Sequence, residues 1–256
     1  MRYWKGSIAL SPTQDYPLLR QVLRSTFVTH RQLYDFMRLA YCTSSRHSFN
    51  NRVLRLVKHN YLIRDKVPFQ TDGYVYSVSE MGASEVIGLG ECYTSPTQRP
   101  KDGKLPRAVY HAVDLNEIHL ALKRSALLID WTSDTEIRSR NELASVRYCK
   151  DYDAVVTVRV DGSERKFALE YERTPKTRND YLRISSAIER EQLLDRSLYL
   201  VPNHDLLAFL VRSFASSRRA IFFGLLKDFL NRLLDVPLRT ARPGATVTLQ
   251  NVLRSR

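Results

Sequence analysis

Asp153, Glu170 and Glu172 are the residues of this 256-residue sequence whose types and spacing best suit chemistry. Over residues 165–172, Arg-Lys-Phe-Ala-Leu-Glu-Tyr-Glu, the pattern alternates as in a strand. Phe167, Leu169 and Tyr171 then fall on one face, and Ala168, Glu170 and Glu172 on the other. Residues 153–160 read as a neighbouring strand, and Asp161-Gly162 between the two is a tight-turn pair. A hairpin closed there brings Asp153 close to the Glu172 end. Three carboxylates converging in this way repel one another unless a cation, a base or water intervenes, and an all-oxygen cluster is what Mg²⁺ prefers. The chemistry such a set supports is metal-assisted phosphodiester hydrolysis. Asp153 and Glu170 would hold Mg²⁺, and Glu172 or Lys176 would orient or deprotonate the attacking water. The plain alternative is a solvated edge on which the acids pair with Arg159, Arg165 or Arg173.

The elements that must position these acids alternate between helix and strand. Asp114 and Glu117 have a capping-box spacing that opens a helix with Ile118, Leu120, Ala121 and Leu122, and residues 127–131 follow as a strand. A polar stretch runs to about Lys150, and then comes the hairpin. Beyond it the pattern predicts a helix over 179–194, a strand over 197–201 and a helix over 204–214. Strands at 219–223 and 246–249 enclose a further helix at 226–234. The core order is α-β-β-β-α-β, a mixed α/β sheet.

At these residues the chain resembles the PD-(D/E)xK nuclease superfamily, whose core has this element order. The resemblance matches Asp153 to the acid heading the second strand and Glu170 to the acid on the third. Glu117 corresponds loosely to an additional helix acid, which the resemblance implies as a third metal ligand. Position 172 departs from the pattern, because a Glu stands where most members carry Lys. Lys176 or Lys166 is the candidate to supply the missing ammonium.

Residues 16–90 have a different character. Helices are predicted over 16–25, from Thr29 (Gln32 three residues on) and from about Ser48. The period then changes to that of strands at 61–64 and 74–78, joined by a loop with a Thr-Asp-Gly turn, and Ser79-Glu80-Met81-Gly82 starts a further helix. The order resembles a winged helix-turn-helix. A major groove admits one helix, phosphates attract Lys and Arg, and base edges suit bidentate Arg, Asn or Gln. The third helix and the loop before it offer Ser44, Ser45, Arg46, Ser48, Asn51, Arg52 and Arg55, with Lys66 at the loop placed for a flanking backbone. Residues 91–110, with three prolines and no apolar period, read as a linker. The expected division is therefore 1–90, a DNA-binding domain, then 111–256, a nuclease-like domain with a basic tail.

Charge supports a polyanionic partner. The net formal charge is +13, and residues 1–66 carry 12 basic against 3 acidic groups. Residues 67–211 are slightly acidic, at −3, and residues 212–256 return to +7 with eight arginines, a candidate second phosphate surface. No apolar run approaches the ~20 residues of a membrane span, and the start of the sequence lacks a signal-peptide core, so a cytoplasmic protein with no membrane partner is expected. Three widely spaced cysteines match neither a disulfide framework nor a zinc site and read as buried small hydrophobes. No phosphate-cradling glycine loop is present.

A winged helix followed by a degenerate nuclease-like domain resembles the replication-relaxation proteins of plasmids and other mobile elements. The resemblance rests on the Ser79-to-Gly82 helix start, His111 ahead of Asn116-Glu117, Tyr152-Asp153-Ala154, residues 169–174, and Lys176 with Tyr181. It implies binding to double-stranded DNA and a part in regulating replication or transcription, with a nuclease-like domain that is weak or inactive. Two other functions stay open on the residues: an Mg²⁺-dependent DNA endonuclease targeted by its winged helix, and an adaptor subunit of a nucleoprotein complex. Winged helices often bind paired half-sites, which suits a homodimer.

Overall fold

The computed structural model describes residues 8–43, 45–67, 73–89, 105–241 and 246–255. Ser44, Cys92, Arg242, Arg256 and the Thr71-Asp72 part of the expected turn lie outside the described residues. The chain divides into two compact units between Leu120 and Ala121.

The first unit contains α1 (Asp15–Ser25), the two-residue β1 (Val28–Thr29), α2 (His30–Leu39), α3 (Arg46–Lys58), β2 (Leu62–Lys66), β3 (Tyr74–Val78) and α4 (Glu80–Ile87). Most of α5 (Leu105–Arg124) belongs to it as well. At the start of α2, the Thr29 hydroxyl accepts from the Gln32 N–H and the Gln32 side chain accepts from the Thr29 N–H, the reciprocal bonds that the sequence spacing predicts. Helix α3 starts two residues ahead of the expected Ser48. The Ser45 hydroxyl accepts from the Ser48 N–H at 3.1 Å, so the cap, not the first apolar residue, sets the boundary. Leu18, Leu19 and Val22 of α1, Leu33, Phe36 and Met37 of α2, and Phe49, Val53 and Leu56 of α3 form one core with Leu62 and Tyr76. The strands pair antiparallel in the order β1-β3-β2. Three helices followed by two antiparallel strands match the element order expected from the sequence, with β1 added as a third strand. Gly82 is required where α4 begins, because a Cβ there would lie 2.2 Å from the Tyr61 carbonyl oxygen. Helix α5 starts at Leu105, well ahead of the Asp114 opening. Val109 and Ala112 bury against Phe27, Val67 and Val75, and the Asn116 amide donates to the Phe27 carbonyl at 2.8 Å.

The second unit contains β4 (Leu128–Ser133), α6 (Asp134–Leu143), β5 (Ala154–Val160), β6 (Ser163–Tyr171), α7 (Arg178–Glu189), β7 (Arg196–Val201) and α8 (His204–Ser213). It continues with β8 (Ala220–Leu225), α9 (Leu226–Arg232), a 3-10 turn, β9 (Pro237–Thr240), β10 (Val247–Thr248) and α10 (Leu249–Arg254). Seven strands form one sheet in the order β10-β9-β8-β7-β6-β5-β4. β4, β5 and β6 pair antiparallel, while β6, β7 and β8 run parallel through the α7 and α8 crossovers. Along the chain α5, β4, β5, β6, α7 and β7 follow the expected α-β-β-β-α-β order of a mixed sheet, with α6 inserted after β4 and most of the leading helix belonging to the first unit. Asp161 and Gly162 both take positive φ, 49° and 77°, which a two-residue hairpin turn of this hand demands.

Cys149 is exposed and is not the buried hydrophobe expected, whereas Cys42 is half-buried and packs against the core of the first unit. The hairpin pairs Ala154 with Leu169, which sets Asp153 level with Glu170, at the Glu172 end of the hairpin as expected. Among the described residues no helix is long and apolar enough to cross a membrane.

Candidate functional site

Glu170 and Glu172 lie at the end of β6, and neither is on a solvated edge: they are 7% and 6% exposed. Parallel pairing with β7 covers them on one side, where Glu170 stands opposite Tyr199 and the Glu172 N–H donates to the Leu200 carbonyl. On the other side Asp153 accepts from the Tyr171 N–H at 2.7 Å, which fixes its carboxylate at the mouth of the hairpin. The sequence thus brings Asp153, Glu170 and Glu172 to one end of the central strands.

Each buried glutamate has an ammonium partner from the chain itself. Lys150 forms a salt bridge with Glu170 and lies 4.5 Å from the centre of the Tyr152 ring. Lys176, one helical turn's spacing beyond Glu172, bridges to it. The segment carrying Lys150 is held by the buried Glu191, whose carboxylate accepts from the Cys149 N–H at 2.9 Å, the Tyr152 hydroxyl at 3.1 Å and the Leu193 N–H at 2.8 Å. Lys176 is held by the turn into α7, where its own N–H donates to the Tyr181 hydroxyl. Lys166, the other ammonium considered from sequence, donates instead to the Tyr148 hydroxyl at 3.3 Å.

A further acid belongs to this region. Asp134, in the first turn of α6, pairs with Arg138 at 2.6 Å, and burial together with the negative charge of Asp153 pushes its carboxyl above the usual range. Glu117 belongs to the first unit. It accepts from Arg31 at 2.7 Å and from the Gln32 amide at 2.8 Å. Burial, with a further push from Asp153, raises Glu170 from 4.5 to about 7 against the lowering effect of Lys150. Burial pulls Lys176 down, but the hydrogen bond and charge of Glu172 outweigh it and raise its pKa. The fully buried Tyr199 hydroxyl finds no hydrogen-bond partner among the described residues, and burial beside these acids holds it protonated.

This donor set does not fit a Mg²⁺ ion as arranged. Lysine ammoniums occupy the two glutamates, a backbone N–H occupies Asp153, and among the described residues no group of three or more Asp, Glu, His or Cys side chains is placed to hold a metal.

The raised Glu170 pKa makes a prediction about pH. A carboxyl that binds its proton more tightly when folded adds stability below about pH 4.5, and that contribution is lost as pH rises through about 7. Wild-type stability is therefore expected to fall between pH 5 and pH 8 by an amount on the order of 3 kcal/mol from this group. Glu170→Gln should lose most of that slope in urea titrations at the two pH values. Equal slopes in both proteins would refute the assignment.

The second candidate site lies on α3. Arg52 and Arg55, expected to meet DNA, are both held by Asp15, which is fully buried at the start of α1. Arg52 donates at 3.1 Å and Arg55 at 2.5 Å, and the same carboxylate accepts from the Ser11 N–H at 2.7 Å. The outward stripe of α3 is instead His47, Asn51, Leu54 and Lys58, with Ser48 beside it. His47 and Asn51 are hydrogen-bonded at 3.0 Å. Arg46 is exposed and lies 4.4 Å from the centre of the Tyr34 ring. Ser45 is occupied as the helix cap. Lys66 is exposed on β2, as are Arg64 on the same strand and Arg38 on α2. His47 and Leu54 were not legible as site residues, although their spacing from Asn51 is the available signal.

No protein-family profile matches the sequence, and no curated protein matches it. Among solved structures the chain has a likeness to the restriction endonuclease FokI bound to DNA. The two are 8% identical with a TM-score of 0.26, and the match covers 84% of this chain and 42% of that one. A score of that size carries no argument about chemistry.

Proposed function

We propose that the chain is a double-stranded DNA-binding protein of a plasmid or other mobile element that regulates replication or transcription. The observation that carries this reading is the outward stripe of α3 within a basic winged-helix unit. The stripe presents His47, Ser48, Asn51 and Lys58, while Arg38, Arg46, Arg64 and Lys66 are exposed around it. These are the side chains that meet base edges and phosphates in a major groove. The place in a mobile element comes from the sequence resemblance to replication-relaxation proteins. In the second unit, the lysine-neutralised carboxylates favour a nuclease-like fold kept for binding and architecture, with cleavage weak or lost.

The test is binding of the full chain to duplex DNA across a range of KCl concentrations, followed by fluorescence anisotropy. Five exposed cations meeting phosphates give an expected log–log slope of about −4.5. Absence of binding to any duplex at low salt overturns the reading. The competing endonuclease would need Lys150 to leave Glu170. Supercoiled plasmid in Mg²⁺ or Mn²⁺ is expected to stay intact, whereas cutting that Glu170→Ala abolishes would establish the competitor.

A further inference from the structure

Resting on the DNA-binding reading, we infer that α3 recognises an A·T-containing step, with Asn51 on adenine and Leu54 on a thymine methyl. The arginines that would favour guanine, Arg52 and Arg55, are committed to Asp15. Lys58 stands at the C-terminal end of α3, away from the N-terminal part of a recognition helix that meets base edges, which leaves Asn51 on the outward stripe, whose amide matches the N6 and N7 of adenine. His47, one turn earlier, bonds one amide hydrogen at 3.0 Å, so the amide is oriented before DNA arrives and keeps its second hydrogen and its oxygen for the base.

Leu54 is the exception on this polar stripe, since a branched apolar side chain stands 52% exposed at the centre of the helix. In a major groove the apolar feature available to it is the C5-methyl of thymine. Asn51 and Leu54 are three residues apart, about 4.5 Å along the helix axis, comparable to the ~3.4 Å stacking of neighbouring base pairs. Charge complementarity fixes the class of partner: residues 1–66 carry a net +9, and Lys58 at the end of the same stripe with Arg64 and Lys66 on β2 supplies phosphate contacts.

The experiment starts from duplexes selected by the full chain from a random pool. Each thymine of the selected site is replaced in turn by deoxyuracil and each adenine by 7-deazaadenine, and affinities are measured for wild type, Leu54→Ala and Asn51→Ala. Both side chains are exposed, so the variants retain the core. One deoxyuracil is expected to weaken wild-type binding about 5-fold and Leu54→Ala less than about 2-fold. One 7-deazaadenine should weaken wild type about 10-fold and leave Asn51→Ala unchanged. Tight binding that is indifferent to every replacement, or selected sites composed of G·C pairs, overturns the inference while leaving DNA binding intact. Failure to select any duplex overturns both.

Discussion

Asp15→Ala is expected to destabilise the first unit by about 3 kcal/mol, one of the largest effects of any single substitution in the chain. Asp15 is completely buried, and its two oxygens hold Arg52, Arg55 and the Ser11 N–H. Removing the carboxylate leaves Arg52, whose side chain is only 13% exposed, with the neutral Gln14 side-chain oxygen in place of its counter-charge, while Arg55 reaches water and limits the loss. The two bonds span from the start of α1 to the middle of α3, so they dock the helix that carries the outward stripe. Hydrogen exchange localises the effect. The amides of residues 46–58 should lose protection, those of residues 196–201 should not, and duplex affinity should fall in parallel. Asp15→Asn keeps the shape but loses the charge, and it should lie between wild type and alanine. Unchanged protection in α3 would show that the pair adds nothing to its docking.

Lys150→Ala is the second. Breaking a buried ion pair by removing one partner costs about 3–5 kcal/mol where the remaining charge has no escape. Glu170 has one, because its carboxyl already titrates near 7 and can take up a proton. The expected loss is therefore about 3 kcal/mol at pH 8, shrinking towards zero at pH 5, where Glu170 is protonated in both proteins. Lys150→Met keeps the stem against the Tyr152 ring and separates lost packing from lost charge. A cost independent of pH would assign Lys150 a packing role and not an electrostatic one.

What could be read from the sequence followed the range of the interactions involved. The Thr29–Gln32 capping box and the Asp161-Gly162 hairpin are set by neighbours in sequence, and both elements form where the pattern places them. Helix α6 was hidden because Ile137 is its one fully buried large apolar side chain, so no apolar stripe marks it, although Ser133 and Glu136 cap it. The two-residue strand β1 is too short for a period of two to show, whereas β10 falls within the strand expected at 246–249. The acids Asp153, Glu170 and Glu172 were legible because strand alternation dictates faces. Their ammonium partners were harder: Lys176 lies four residues from Glu172, while Lys150 is twenty residues from Glu170. The same limit hid the partner of Arg52 and Arg55. Charge on a helix beside a wing suggests DNA, but their buried partner is 37 and 40 residues away and has no local signature.

On the proposed reading, the outward stripe of α3 and strand β2 carry the contact with duplex DNA. That claim is tested most directly by charge reversal on the full chain with a selected duplex, comparing Lys58→Glu plus Lys66→Glu with Arg212→Glu plus Arg239→Glu. All four side chains are exposed, so folding is preserved. The first pair is expected to weaken binding by at least about 10-fold and to flatten its salt dependence by about two charges, while the second pair changes affinity by less than about 3-fold. The reverse order, or no loss from the first pair, would contradict the claim.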